Sequence, residues 1–392
     1  MEKSRYQLLI TRVSTNEHTM TPTEFRETIP ALESGTYLNW GAGGPSPRRV
    51  VDAAEATLEA HEYEAPTGEG MYPAAFDAYE ESRAAIADLL GVETSAVALT
   101  ESTTDGINRV AGALEWSDDD VVVRTDLEHP AGILPWKRLE RQRGVDVRVL
   151  ETENGRLDLE AVKAAASEAT LFCVSSVTWT HGTRLPVGKI VDIAHDAGAL
   201  VLVDAVQEPG QTAIDVEEWN ADAVVGAGHK WLCGPFGAGF LYVRDGLETE
   251  RDLVPAAIGY RSVVDPNAEE YRYEPGAKRF EIGTASPAPH AGLAEAIACL
   301  EDVGIDSIED RIGTLASRLV DGVPDGQLLS PRSPESGLVT IAVDEPETTV
   351  EALADRGIVV RSLPGFDAVR VSVHAVNTRE EIDAVLEALA AV

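Results

Sequence analysis

A lysine at the end of a nonpolar run can act as an amine nucleophile, and Lys230 is placed that way in Ala227-Gly228-His229-Lys230-Trp231. Burial there lowers an ammonium pKa, because the charged form loses its hydration. The glycine-rich stretch Gly234-Pro235-Phe236-Gly237-Ala238-Gly239 follows at once and allows backbone to approach a ligand closely. Upstream, Val201-Leu202-Val203-Asp204 is a second buried run ending in a carboxylate, with Gln207 three residues on. A cofactor that is both an aldehyde and a pyridine needs a lysine for its carbonyl and an acid for its ring nitrogen. The pair Lys230 and Asp204 therefore points to pyridoxal 5'-phosphate (PLP), and Gln207 is placed to bond the ring's phenolic oxygen.

Other residues fit the same cofactor. Ser102, Thr103 and Thr104 follow the apolar run 96–100 and open a helix. Their hydroxyls, with the free N–H groups of a helix start, make an anion site suited to a phosphate. His129, in Asp126-Leu127-Glu128-His129-Pro130, closes another apolar run, where its imidazole plane can cover the pyridine ring.

Positioning these groups requires strands that end together. Short apolar runs at 96–100, 120–125, 146–150, 170–175, 200–204, 223–226 and 239–243 alternate with helical patterns at 132–143, 159–166 and 187–197. Amphipathic helices are also expected over 50–60 and 76–90. Such βα alternation predicts a mostly parallel, seven-stranded sheet covered by helices, with ligands at the carboxyl ends of its strands. Beyond residue 244 the rhythm changes. A helix over 289–302 that continues toward 308–319, strands at 337–343, 359–362 and 369–373, and a closing helix over 380–391 predict a smaller α+β unit. The expected organisation is a disordered leader over 1–19, with Met20 an alternative start, a large cofactor-binding domain over 20–275 and a small domain over 276–392.

The charge excludes some partners. Lys and Arg total 32 against 67 Asp and Glu, a formal charge of −35 that repels nucleic acid and anionic membranes. Acidic excess along the whole chain, with few lysines, reads as adaptation to high salt, where self-repulsion is screened. No apolar run approaches the roughly 18 residues of a membrane span, so a cytoplasmic enzyme is expected. Cys173, Cys233 and Cys299 form no CxxC pair, so neither a metal site nor a disulfide framework is predicted.

Several segments together resemble the class V, fold-type I family of PLP enzymes, from about Tyr37 to the C-terminus. They are Tyr37-Leu38-Asn39, Ser102-Thr103-Thr104, Glu128-His129-Pro130, Val203-Asp204-Ala205-Val206-Gln207, Gly228-His229-Lys230, Arg279-Phe280-Glu281-Ile282-Gly283-Thr284 and Val369-Arg370-Val371-Ser372. The resemblance implies that Lys230 forms the Schiff base, His129 stacks on the ring, Asp204 holds the pyridine nitrogen and His229 contacts phosphate. It implies a homodimer with shared active sites, Thr284 reaching the cofactor of the other subunit. Arg370 and Arg361 would clamp the substrate carboxylate, with Asn39 also on the substrate side.

Departures from the family bear on the reaction. Cysteine desulfurases of this family carry a catalytic cysteine on the loop that here reads Ser362-Leu363-Pro364-Gly365-Phe366-Asp367-Ala368-Val369, without one. A usual hydroxyl residue is replaced by Ala227, and the family's asparagine near the ring oxygen is missing from 176–183. The segments Trp179-Thr180-His181-Gly182, Gly259-Tyr260-Arg261-Ser262 and Lys278-Arg279-Phe280-Glu281 look especially like the cysteine/cystine C–S lyases. That likeness implies β-elimination to pyruvate, ammonia and sulfide or persulfide. Class V aminotransferases and epimerases share most of these motifs, and a desulfurase using an atypical cysteine stays open beside them.

Overall fold

The computed structural model describes residues 20–247 and 253–391. The expected leader, 1–19, lies outside the described residues. The described chain first pairs through a two-residue strand, β1 (Thr36–Tyr37), and then builds the large sheet. Its seven strands are β2 (Val97–Thr100), β3 (Val121–Thr125), β4 (Asp146–Leu150), β5 (Leu171–Ser175), β6 (Leu200–Asp204), β7 (Ala223–Ala227) and β8 (Gly239–Val243), in the order β2-β8-β7-β6-β5-β3-β4.

The expected seven-stranded, mostly parallel sheet is present. Only β8 runs antiparallel to its neighbours β2 and β7. A parallel return needs a crossover of a dozen or more residues, usually through a helix. Residues 228–238 carry no helix, so the chain doubles straight back and places Lys230 in the turn.

Alternate residues of the central strands enter two separate cores. Val123, Phe172, Val174, Val201 and Val203 face one, and Val122, Leu171, Cys173, Leu200 and Leu202 the other. That is why these runs are continuously apolar. The exposed edge strand β4 is instead charged, with Arg148 paired to Asp146 and Glu168.

The second sheet is small and antiparallel. It contains β9 (Leu338–Ala342), β11 (Arg361–Ser362) and β12 (Ala368–Ser372), while β10 (Ile358–Val359) pairs in parallel with β1. The run read as one strand over 359–362 thus divides between two sheets. The helix expected to continue past 302 also divides. Gly304, at φ +86°, ends the helix Pro287–Val303, and Ile305–Gly322 begins anew.

Packing does not follow the chain cut between 275 and 276. Leu293, Ala296, Ile297 and Leu300 of the helix Pro287–Val303 belong to the core of the large sheet. Conversely, Leu38 lies in the core of the small sheet, and Ser372 N donates to Leu38 O (2.7 Å). Among the described residues no helix is long and apolar enough to cross a membrane.

The segment that leads to Thr284 is anchored by a buried ion triad. Glu281 accepts from Arg83 Nη1 (2.5 Å), from Leu99 N (2.8 Å) and from Arg261 Nη2. The Arg261 guanidinium lies 4.1 Å from the Tyr79 ring centroid. Glu281→Ala would leave two cations facing each other out of water. Denaturant unfolding should show a loss of about 3–5 kcal/mol.

Candidate active site

The loops after β2, β3, β5, β6 and β7 open onto one edge of the large sheet, and β11 and β12 close it from the other side. The cleft between them, about 170 Å³, is lined by Ser102, Thr103, Thr104, His129, Asp204, Gln207, His229, Lys230, Arg361 and Arg370. Ten of the twelve expected site residues therefore meet. Asn39 stands apart, bridged to Ser372 with a buried, unpartnered Oδ1, and Thr284 is exposed outside the cleft.

Electrostatics suit the central pair. Burial lowers the Lys230 ammonium to about 8, with Arg370 and Arg361 pushing the same way and Asp204 opposing. Roughly a tenth of the amine is then unprotonated at neutral pH, far more than for an ordinary lysine. Asp204 is 3% exposed, and burial raises its carboxyl while the Lys230 charge pulls it back down. Its Oδ1 accepts from Val206 N (3.0 Å), which aims the carboxylate.

The two histidines are uncharged. Burial, then the Lys230, Arg361 and Arg370 charges, lower His129 to about 4. His129 Nδ1 accepts from Ala131 N (3.3 Å), leaving the hydrogen on Nε2, and the ring meets Trp179 edge-on at 5.3 Å. His229 is likewise lowered to about 4, chiefly by burial, and stacks on Phe236 at 4.6 Å.

At the opposite end, Ser102 caps the helix Thr103–Ala113 by accepting from Asp105 N (3.2 Å). The buried Thr103 Oγ1 has no partner. Gly106 lets this helix lie close on the sheet, since a Cβ there would come within 2.6 Å of Val225 Cγ1. The helix start can thus meet a dianion. Gln207 lines the cleft with its amide already held: Nε2 donates to Gly41 O (2.9 Å) and Oε1 accepts from Trp231 Nε1 (2.8 Å). One Nε2 hydrogen is left for a ligand.

On the small-sheet side, Arg361 and Arg370 are direct partners across β11 and β12. Arg370 is fully buried and lowered to about 9, by burial first and by Arg361 second. Its Nη1 donates to Trp179 O (2.9 Å), but Nε and Nη2 have no partner. A buried guanidinium with two idle donors is costly unless an anion meets it. Arg370→Met should therefore raise the melting temperature of the ligand-free protein. The same change should lower kcat/KM roughly 10- to 150-fold, mostly through KM, as steady-state kinetics would show.

Two residues here appeared in the sequence only as parts of motifs, with no role of their own. Trp179 lines the cleft, with an unpartnered buried Nε1 and the Arg361 guanidinium 5.8 Å from its ring. The available signal was a tryptophan just beyond the carboxyl end of a buried strand. Glu128, beneath His129, is a buried carboxyl with no basic partner among the described residues; it reads as part of a motif until its surroundings are known.

The donor set fits PLP: an amine of lowered pKa, a buried acid opposite it, an orphaned hydroxyl at a helix start, and idle arginine donors for a carboxylate. No thiol joins this set. Cys173, Cys233 and Cys299 are all buried, and none lines the cleft. Cys233 Sγ faces Trp231 O (3.7 Å) and His374 Nε2 (4.0 Å), and burial pushes its thiol far above the ordinary value.

Known proteins share this architecture. The model of the aminotransferase class-V family matches residues 36–385. A probable cysteine desulfurase of Methanothermobacter thermautotrophicus is 33% identical, over 93% of this chain and 96% of its own. The cystine C–S lyase C-DES, solved with its reaction product cysteine persulfide, is 25% identical with a TM-score of 0.87, over 92% of this chain and 99% of its own. A C-DES mutant with glycine covalently linked to its PLP cofactor also gives 25% and 0.87, over 93% and 98%.

Proposed function

This chain belongs to the aminotransferase class-V family of PLP-dependent enzymes, and from that premise we propose that it cleaves the C–S bond of cysteine, cystine or a related amino acid by β-elimination. The products would be pyruvate, ammonia and either sulfide or a persulfide. Its relatives' activities support a PLP-dependent cysteine C–S lyase or desulfurase. What favours elimination is the absence of any thiol at the cleft, where the loop between Arg361 and Arg370 carries Phe366 packed on His181 (5.9 Å).

Bound PLP supplies the electron sink that makes a Cα proton acidic and a β-substituent labile. Arg370 and Arg361 hold the substrate carboxylate, which turns the Cα–H toward Lys230. The Lys230 amine takes that proton. Asp204, whose carboxyl burial raises and the Lys230 charge pulls back down, would face the ring nitrogen, and neutral His129 would cover the ring without adding a cation. Sulfur departs with the Cβ–S electron pair, as sulfide from cysteine or persulfide from cystine. One water completes release of pyruvate and ammonia, with no net oxidation.

The decisive measurement is the three-carbon product from cysteine. Pyruvate equal to sulfide is the expected result. Alanine, with sulfur retained on the protein, would replace this reading by a desulfurase using one of the buried cysteines.

A homodimer completes the proposal. Tyr72, Tyr260 and Ile282 are exposed beside Thr284, a face that a second copy would cover, and Thr284 would then reach the partner's cofactor. The acidic surface fits cytoplasm of high salt. Raising KCl from low to molar levels should raise the melting temperature, with sedimentation giving the mass of two chains throughout.

A further inference from the structure

Glu128 is 3% exposed, just past the end of β3. Its Oε1 accepts from Thr125 Oγ1 (2.7 Å) and Ser175 N (3.1 Å), and its Oε2 accepts from Ser175 Oγ (2.7 Å). Thr125 Oγ1 itself accepts from Leu127 N (3.2 Å) while its hydrogen goes to Glu128. The carboxyl also supports the turn that carries His129. A Cβ added at Gly132, in the turn Pro130–Gly132, would come within 3.5 Å of Glu128 Oε2.

Among the described residues, the charged and titratable groups around it offer no cation paired with it. Asp204 faces it from β6, in sheet register with Ser175, and Cys173 faces it from β5. Arg124 on β3 donates Nη1 to Thr125 O (2.9 Å). The helix Leu134–Arg143 contributes Trp136, which carries no charge. His129, next in the chain, is neutral. An ionised Glu128 would stand unpaired in the interior beside a second anion.

We propose that Glu128 is a positioning residue kept as a neutral carboxylic acid, tying the ends of β3 and β5 together beneath His129 and leaving Asp204 the single anion under the cofactor. In that state the Ser175 hydroxyl hydrogen turns away and Oε2–H donates to Ser175 Oγ, while Oε1 keeps its two hydrogen bonds. Burial, helped by Asp204 and opposed by Ser175 and Thr125, raises the carboxyl to about 7, so the proton persists up to neutrality. Its positioning role rests on the PLP reading; its protonation does not.

The sign of the linkage supplies a test. A folded-state pKa above the ordinary 4.5 means that the native protein holds a proton the unfolded chain has lost. Stability then falls as pH rises from about 4.5 to 7, and this contribution is constant above. Glu128→Gln mimics the neutral acid and removes that fall. Calorimetry of both holoenzymes should show the variant's melting temperature gaining on wild type between about pH 5 and 7, then holding level. Infrared difference spectra near pH 6 should show a protonated-carboxyl stretch in wild type that the variant lacks. A constant melting offset with only carboxylate bands would overturn the protonation.

Positioning is read from circular dichroism of the cofactor's visible band. Glu128→Gln should preserve it and Glu128→Ala diminish it, with Ser175→Ala as the substitute if the alanine variant does not fold. Equal signals from all variants would overturn the positioning role. A chain that binds no PLP yet shows the infrared band would fail the cofactor reading and its positioning role, leaving the protonation established.

Discussion

Lys230→Ala should abolish the visible absorption of the bound cofactor and lower turnover at least about 10⁴-fold, the upper range for loss of a general base. The size follows from two roles falling on one side chain. In the proposed reaction it is both the amine that joins the cofactor aldehyde and the base that takes the Cα proton. The chain has six lysines, and among the described residues Lys230 alone lines the cleft. Lys278 is engaged with Glu80, and Lys137, Lys163 and Lys189 lie on helices away from the cleft. Borohydride trapping is the check. A PLP adduct reduced onto the alanine variant would mean that another amine carries the cofactor.

Asp204→Asn should be nearly as damaging, at roughly 10²- to 10³-fold in kcat, the scale of losing one aimed electrostatic contact in a dry site. The amide keeps the shape and can still accept from Val206 N, so folding should survive and the loss should fall on the charge. A second effect has a definite sign. Asp204 raises the Lys230 pKa against burial and the two arginines. Without it the ammonium loses its proton at still lower pH, and the pH dependence of PLP association should move in the acid direction. Near-normal turnover in the variant would show that a different acid holds the ring nitrogen.

The parts of the site legible in the sequence were those whose meaning is local. Lys230 and Asp204 end buried runs, and Ser102-Thr103-Thr104 opens a helix. The strands 146–150, 200–204 and 239–243 needed no adjustment, and continuous burial gives the last two their sharp edges. What escaped depends on partners far along the chain. The pairing of Arg361 with Arg370 follows from a hairpin register. The character of Glu128 follows from Ser175, on the next strand but one in sequence, and Trp179 matters through Arg361 and His129. The break at Gly304 was hidden because both flanking segments read as helix, and only the positive-φ backbone at the glycine separates them. The lead to PLP therefore came early, and the supports of the cleft came from tertiary structure.

The pairing of β1 with β10 bears on how the protein is made. Thr36 and Tyr37 find their partners at Ile358 and Val359, and Asn39 bridges to Ser372, almost a full chain length away. On the ribosome, residues 36–39 must wait unpaired while the large sheet assembles from shorter-range contacts. The wall carrying Arg361 and Arg370 is also synthesised late. A nascent or truncated chain can therefore complete the floor around Lys230 and Asp204 without the two arginines of the facing wall. The order of synthesis thus sets when the site is whole, because only a finished chain can close the cleft.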